Sequence, residues 1–177
     1  MSAARAVLAA ALILTPAPVP GGVPEPRSPL EVAVQKALPS GWQLGIAPAP
    51  LAVLALGPDT EAGRMVVGVR KIDDPPGTVE LFSETGRKEL SAAVEARAGV
   101  LDVTGVVASP LSGVPEISAS LRGPVSDAFE IRYLLLPSRP ALLVTLAGPR
   151  SKFAGARVSV EKRIVAALLE VQARTKN

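Results

Sequence analysis

Two adjacent carboxylates, Asp73 and Asp74, stand in the stretch IDDPPG, which is typical of a polar loop. Carboxylate oxygens are the ligands that Ca²⁺ prefers, and the ion takes about six to eight oxygens in all. No D-x-D-x-D-G spacing follows to supply the other ligands, although Asp59 and Glu61 lie in a different predicted loop. The interpretation that we favour is a turn opened by Asp before proline.

A serine and a lysine at i+3, Ser159 and Lys162 in SVEK, match the S-x-x-K pattern in which lysine activates a nucleophilic serine. The S-D-N and K-T-G partners of that pattern are missing from the chain. The simpler interpretation is a serine near the start of an amphipathic helix, with a solvated lysine one turn later. We favour the simpler interpretation.

The stretch AGPRSKFAG, residues 147–155, could cradle a phosphate at a helix N-terminus or could connect a strand to a helix. Pro149 removes a backbone donor, and Lys152 follows Ser151, whereas a phosphate loop has lysine before serine or threonine. We therefore predict an elbow, in which Gly148 and Pro149 end the strand. Ser151 would cap the helix, and Phe153 would pack beneath it.

The chain contains neither histidine nor cysteine among its 177 residues. This composition excludes Ser-His-Asp and Cys-His nucleophiles, and also the usual ligands of zinc, copper, haem and iron–sulfur clusters. We accordingly expect a protein that is not an enzyme and has no cofactor. The 19 basic and 16 acidic side chains are nearly balanced and lack interleaved aromatic residues, so no nucleic-acid binding is expected.

The N-terminal sequence MSAARAVLAAALILTPAPVPGG is typical of a Sec-type signal peptide over residues 1–22. Arg5 gives a positive start, an apolar run covers residues 6–14, and a Pro- and Gly-rich breaker follows. An uncleaved anchor is the alternative, and it would provide the only membrane attachment. Residues 23–29 are predicted to be a Pro-rich tether before one globular domain over residues 30–174. The expected location is periplasmic or extracellular.

The hydrophobic patterns predict helices and strands in the order helix, strands, helix, four strands, helix. The first helix is predicted to have Ser28 as its N-cap and Pro29 as its first residue, and Pro39 ends it. A middle helix is predicted over residues 78–98, and a last helix carries apolar residues at Val160 and every three or four positions after it. The predicted strands are WQLGI, LAVLALG, RMVVGVRKI, VLDVTGVVA, PEISASL, AFEIRYLLL and ALLVTLAG.

Short links between consecutive strands favour antiparallel pairing. The fold class that follows is α+β, with a mainly antiparallel sheet of about six strands and helices covering its two faces. PEISASL alternates apolar residues with Glu116, Ser118 and Ser120, which predicts a half-buried strand. In AFEIRYLLL, Arg132 and Tyr133 are candidates for a ligand or partner site.

The C-terminal stretch FEIRYLLLPSRPALLVTLAGPRSKFAGARVSVEKRIVAALLE resembles the C-terminal part of the Mog1/PsbP-like group, which includes DcrB-type bacterial envelope proteins. LPSGWQLGIAP resembles the opening strand of that group, and ELFSETGRKELSAAV stands where its middle helix would be. The resemblance covers about residues 38–172. It implies an αβα sandwich around an antiparallel sheet and the binding of another protein without catalysis. No functional residue of the group has a matching motif here.

The sequence therefore predicts an exported, non-enzymatic envelope protein that binds a protein partner as an adaptor, a chaperone or an accessory subunit. That partner would be an unidentified envelope protein. The alternative is a small-molecule or calcium-binding module of the envelope. Asp73, Asp74, Arg132 and Tyr133 are the candidates for its site.

Overall fold

The structure of the chain is a computed structural model that describes residues 27–60, 63–72, 84–85, 88, 101–103, 107–121, 129–138 and 140–175. Two helices lie within these ranges, α1 (Pro29–Ala37) and α2 (Arg150–Arg174). The strands are β1 (Gln43–Gly45), β2 (Val53–Leu56), β3 (Val66–Ile72), β4 (Leu101–Val103), β5 (Val107–Ala108), β6 (Pro115–Leu121), β7 (Phe129–Leu136) and β8 (Ala141–Pro149).

The described strands form one antiparallel sheet in the order β1-β2-β3-β8-β7-β6-β4, with β5 also paired to β6. This arrangement confirms the α+β class and the antiparallel pairing. The sheet has more strands than the six expected, in part because VLDVTGVVA contributes two short strands instead of one. Strand β8 is central and almost wholly buried, as its continuous apolar sequence predicts.

Helix α1 begins where its local sequence specifies. The Ser28 hydroxyl accepts a hydrogen bond from the Glu31 backbone N–H at 3.2 Å, and Glu31 Oε2 accepts one from the Ser28 N–H at 2.7 Å. This reciprocal capping box satisfies two backbone donors, and Pro29 occupies a first-turn position that needs no N–H. The helix ends at Ala37, before Pro39, which confirms the predicted bounds.

Helix α2 begins at Arg150, two residues earlier than a Ser151 cap would place it. Its N-cap is Pro149, which has no side-chain donor or acceptor, so the prediction of a Ser151 cap was wrong. Strand β8 pairs with β7 as far as Pro149, opposite Phe129, so the chain passes from strand to helix without an intervening loop. Phe153 is buried beneath the helix, as expected.

Both helices pack on the same face of the sheet. Their apolar side chains form one core with Val53, Ala55, Val67, Val69, Leu134, Leu136, Leu142, Val144 and Leu146. Side chains on the opposite face are also buried, and Ile117, Ala119, Ile131 and Tyr133 are no more than 2% exposed.

Several predictions from the sequence lie outside the described residues. These are the signal peptide over 1–22, residues 23–26 of the tether, and most of the middle helix over 78–98. Within that last segment, Glu84, Thr85 and Lys88 are helical, and Lys88 Nζ lies 2.9 Å from Glu84 Oε1. The predicted end of the tether at residue 29 was wrong, because Ser28 caps α1 and Pro29 is its first residue. Neither α1 nor α2 is both long and apolar enough to cross a membrane.

Candidate functional site

The two predicted site residues in β7 lie on opposite faces of the sheet. Successive side chains of a strand point in opposite directions, so Arg132 faces helix α2 while Tyr133 faces the other side. Tyr133 is fully buried, whereas Arg132 is partly buried. The structure therefore does not bring them into one site. Asp73 and Asp74 lie outside the described residues.

Arg132 is held by two carboxylates and an aromatic ring. Its Nη1 lies 2.9 Å from Glu130 Oε2, and its Nε lies 3.2 Å from Glu116 Oε1. The Phe153 ring centroid is 5.2 Å from the guanidinium carbon, within the range of a cation–π contact. The positive charge is thus neutralised inside the protein.

A second arginine joins helix α2 to the sheet. Arg157 Nη2 lies 2.5 Å from Glu116 Oε2, and Arg157 Nε lies 2.5 Å from Glu161 Oε2. Glu161 also accepts hydrogen bonds from the hydroxyls of Ser109 and Ser112, in the turn between β5 and β6. Together these contacts define an ion-pair cluster with buried carboxylates and one exposed arginine, Arg150. Its members are Glu116, Glu130, Arg132, Arg150, Arg157 and Glu161.

The cluster is neutral, with three carboxylates matched by three guanidinium groups. Glu116, Glu130 and Glu161 are each no more than 7% exposed. Carboxylates that lose water in this way require ion pairs and hydrogen bonds in exchange. Because every carboxylate in the cluster has such partners, none is a free general base. We assign the cluster to joining the helix to the sheet.

Two of these groups have shifted pKa values. Burial alone would raise the pKa of Glu130, but hydrogen bonds from Arg132, Arg150 and Ser120 outweigh it and hold that pKa below the ordinary value. Burial would likewise lower the pKa of Arg157, but Glu161 and Glu116 outweigh it and raise the pKa. Both shifts favour the charged forms, as expected of groups that form ion pairs.

Sequence reasoning missed this cluster because it treated the polar side of β6 as half-exposed. Glu116 on that side is buried beneath α2, whereas Ser118 and Ser120 are partly exposed and agree with the prediction. A signal was nevertheless present. Arg157 and Glu161 follow Phe153 at intervals of four residues, so they stand on the same stripe of the helix as its buried apolar residues.

Tyr133 has a different environment. Its hydroxyl is buried without a hydrogen-bond partner among the described residues, and burial raises the pKa of the phenol far above its ordinary value. A buried hydroxyl without a partner costs free energy that a phenyl ring would not. The ring of Tyr133 therefore contributes to the core, and its oxygen has no hydrogen bond to the part of the chain that the structure describes.

A groove of about 860 Å³ lies between the two helices, on the side away from the sheet. Its apolar lining comes from both helices and is made mostly of small side chains, with Val32 37% exposed. Alanine side chains leave the space open because they extend no further than Cβ. The apolar residues that face the groove include Val32, Ala33, Ala37, Ala166, Ala167 and Val171.

Most of the charged side chains that line the groove are positively charged. Arg27, Lys36, Arg163 and Arg174 line it, and Glu170 is the only carboxylate among its lining residues that the structure describes. Arg174 Nη2 lies 3.8 Å from Glu170 Oε2, with both side chains more than 70% exposed. Four cations against one carboxylate give a local net charge of +3.

The other sequence candidates have ordinary surroundings. Ser159 and Lys162 are both exposed on α2, and the Ser159 hydroxyl donates to the Ala156 carbonyl at 2.8 Å. Arg150, at the start of α2, is paired with Glu130, with Nε 2.6 Å from Oε1. Among the described residues, no group of three acidic side chains is arranged to hold a metal ion.

No protein-family model matches the chain, and no curated protein matches it significantly in sequence.

Proposed function

We propose that this chain is an exported, non-enzymatic envelope protein that binds another protein through the groove between α1 and α2. It would act as an adaptor, a chaperone or an accessory subunit. The observation that carries the proposal is the open, partly apolar groove, which both helices line on the side away from the sheet. Apolar side chains of a partner that enter this groove would be removed from water, which favours association.

The shape of the groove favours a protein segment. An amphipathic helix that binds in a groove lays its apolar face against the apolar lining of that groove. Here the floor is made of small side chains such as Ala33 and Ala166, and the edges carry Lys36 and Arg163. A peptide could therefore approach the helices closely and leave its polar atoms in water.

The non-enzymatic part of the proposal is supported by the composition and by the ion-pair cluster. The chain has no histidine or cysteine. The buried carboxylates Glu116, Glu130 and Glu161 are occupied by arginine partners, which leaves them without the free acid–base role that a catalytic carboxylate needs.

The fold part of the proposal is the αβα sandwich of the Mog1/PsbP-like kind. Its support is that both faces of the sheet are buried, although α1 and α2 pack on one face only. Ile117, Ile131 and Tyr133 on the second face are no more than 1% exposed. A second covering layer would produce this burial.

A small anionic molecule is the second candidate for the groove. The volume of about 860 Å³ lies within the range of roughly 300 to 1,000 Å³ typical of ligand sites. The open shape is less favourable for a small molecule, because such sites enclose most of their ligand. Calcium binding by Asp73 and Asp74 stays a prediction from the sequence.

Photo-crosslinking in cells tests the partner-binding proposal. A photoreactive amino acid is placed at Ala166, which lines the groove, or at Ala154, an exposed alanine on α2 outside it. We expect a reproducible covalent adduct with an envelope protein from position 166 and not from position 154. The same adducts from both positions, or none from position 166 at good expression, would overturn the proposal.

Export is tested separately by cell fractionation and N-terminal sequencing of the full-length protein. We expect a shortened protein outside the cytoplasm, with its new N-terminus near residue 22. An unshortened protein in the membrane fraction would favour the uncleaved anchor. An unshortened protein in the cytoplasm would contradict export.

A further inference from the structure

We propose that the occupant of the groove between α1 and α2 is an acidic amphipathic segment of a partner protein, with apolar side chains on one side and carboxylates at its edges. This inference rests on the proposed function and names the chemistry of the partner. The residues that line the groove carry a net charge of +3. This is as large as the net charge of the whole chain.

The cations of the groove are available to a partner. Arg27, Lys36 and Arg163 are exposed and form no ion pair within the part of the chain that the structure describes. Within the described ranges, the ion pair of Arg174 is the solvent-exposed contact of 3.8 Å to Glu170. Exposed pairs of this kind are weak, so a partner carboxylate can replace Glu170 at little cost.

Helix α2 carries both a paired arginine of the ion-pair cluster and an unpaired arginine of the groove. Arg157 on α2 has carboxylate partners at 2.5 Å and is largely shielded from water. Arg163 lies less than two turns further along α2, and no carboxylate pairs with it among the described residues. Arg163 is therefore an unpaired cation on the groove side of α2, where a partner could reach it.

The apolar lining at the bottom of the groove determines which side chains a matching occupant should have. Ala33, Ala37, Ala166 and Ala167 give an apolar surface with little projection, which favours an occupant that supplies larger apolar side chains itself. Helix α1 has nine residues, or about 14 Å of length at 1.5 Å per residue. A matching occupant is therefore short, on the order of two to three helical turns.

A concave groove favours a peptide over a membrane surface. Lipid headgroups present a broad surface, and a protein that binds them uses a projecting amphipathic face. Here the apolar residues line a depression between two helices, and both helices contribute cations to it. Binding to anionic lipid is accordingly an outcome of the test that would overturn the inference.

The test uses the crosslink from position 166 in two charge-reversed backgrounds. In the first, Lys36→Glu and Arg163→Glu reverse two groove cations. In the matched control, Lys152→Glu and Lys162→Glu reverse two exposed cations of α2 outside the groove, with the same change in net charge. We expect the adduct to fall about ten-fold or more in the first background and to change less than about two-fold in the control.

The outcomes separate the two proposals. An adduct that is equally sensitive in both backgrounds, or insensitive in both, overturns the acidic-partner inference and leaves protein binding in place. Mass spectrometry of the crosslinked partner peptide should find acidic and large apolar residues, and a basic peptide would overturn the inference. No adduct at all overturns both proposals.

A purified assay checks the chemistry directly with the full-length protein. The probes are a labelled amphipathic peptide of leucine, alanine and glutamate, and the same peptide with lysine in place of glutamate. Fluorescence anisotropy should show binding of the acidic peptide alone, about ten-fold weaker in the groove variant than in the control. Equal binding of both peptides, or tighter binding to vesicles of phosphatidylglycerol that the groove variant also loses, overturns the inference.

Discussion

Arg157 of helix α2 donates a hydrogen bond to Glu116 of strand β6, and the 2.5 Å contact joins residues that are 41 positions apart in the sequence. The same guanidinium pairs with Glu161 one turn later in its own helix. Both carboxylates are at most 3% exposed, so this arginine is the main source of positive charge for them. The N-terminal half of α2 is fixed to the sheet by this bridge.

Replacing the bridging arginine should strongly destabilise the protein. In Arg157→Met, two buried carboxylates lose their shared cation, and we expect the free energy of unfolding to fall by about 3 to 5 kcal/mol. Urea denaturation followed by circular dichroism measures this change. The matched control is Arg174→Met, which breaks another i,i+4 pair of the same helix, exposed to solvent, and should cost no more than about 0.5 kcal/mol. Equal losses in the two variants would contradict the assignment.

The contribution of Glu130 should depend on pH. Because ion pairs lower its pKa in the folded chain, its stabilisation is complete above the ordinary value of 4.5 and is lost as the pH falls through the folded-state pKa. The free energy of unfolding of the wild type and of Glu130→Gln should therefore differ most near neutral pH and converge in acid. Denaturation at a series of pH values checks this, and a difference that is constant with pH would contradict it.

Removing the hydroxyl of Tyr133 should not destabilise the protein. That oxygen is buried without a partner among the described residues, so Tyr133→Phe removes an unsatisfied polar atom and keeps the ring. We expect a free energy of unfolding that is unchanged or higher by up to about 1 kcal/mol. Tyr133→Leu removes the ring and should cost about 2 kcal/mol or more. A large loss in the phenylalanine variant would reveal a hydrogen bond.

Alkaline titration offers a second test at the same residue, since Tyr133 is the only tyrosine of the chain. Burial raises its pKa, so the stability is complete below the ordinary value of 10.0 and is lost as the pH rises towards the folded-state pKa. Tyrosinate absorbance should appear near the ordinary value in guanidinium chloride. In the native protein it should appear only as the chain unfolds. Reversible ionisation of the folded protein near the ordinary value would contradict the burial.

Gln172 should stabilise the turn between β7 and β8. Its Nε2 lies within 3.3 Å of the carbonyl oxygens of Leu136, Ser138 and Pro140, and the side chain is buried. Gln172→Met leaves these acceptors without their donor and should cost about 1 to 3 kcal/mol.

Gln172→Glu provides the sharper comparison, because a carboxylate would face three carbonyl oxygens with no proton to donate. It should be less stable than Gln172→Met at neutral pH and should recover part of that loss in acid. Ala173→Glu, at an exposed neighbouring position, serves as the control for added charge on α2. A glutamate variant as stable as the methionine variant would contradict the role of the amide.

Much of the fold could be predicted because its signals are local. Ser28, Pro29 and Glu31 form the cap of α1 from neighbouring residues, and the hairpin of β2 and β3 follows from two apolar runs with a polar link. The continuous apolar sequence of β8 required cover on both sides, and the structure places it at the centre of the sheet. These features depend on hydrogen bonds and patterns within a few residues.

The candidate sites could not be predicted in the same way, because they depend on which elements pack together. The alternation of β6 separates Glu116 from its apolar neighbours, but it does not say that α2 will cover the polar side. Strand alternation alone sends Arg132 and Tyr133 to opposite faces of the sheet, but it does not say which of the two faces α2 will cover. The groove exists only because α1 and α2, more than a hundred residues apart, pack side by side.

The sequence by itself determined the α+β class, the start of α1, the antiparallel strands and the apolar stripe of α2, because each needs only local periodicity and capping. Only the tertiary structure decided that Arg157 and Glu161, on that stripe, would be buried with Glu116, and that the cations of α1 and α2 would line one groove. The physical reason is that ion pairing and burial depend on distances between segments, which no local pattern specifies.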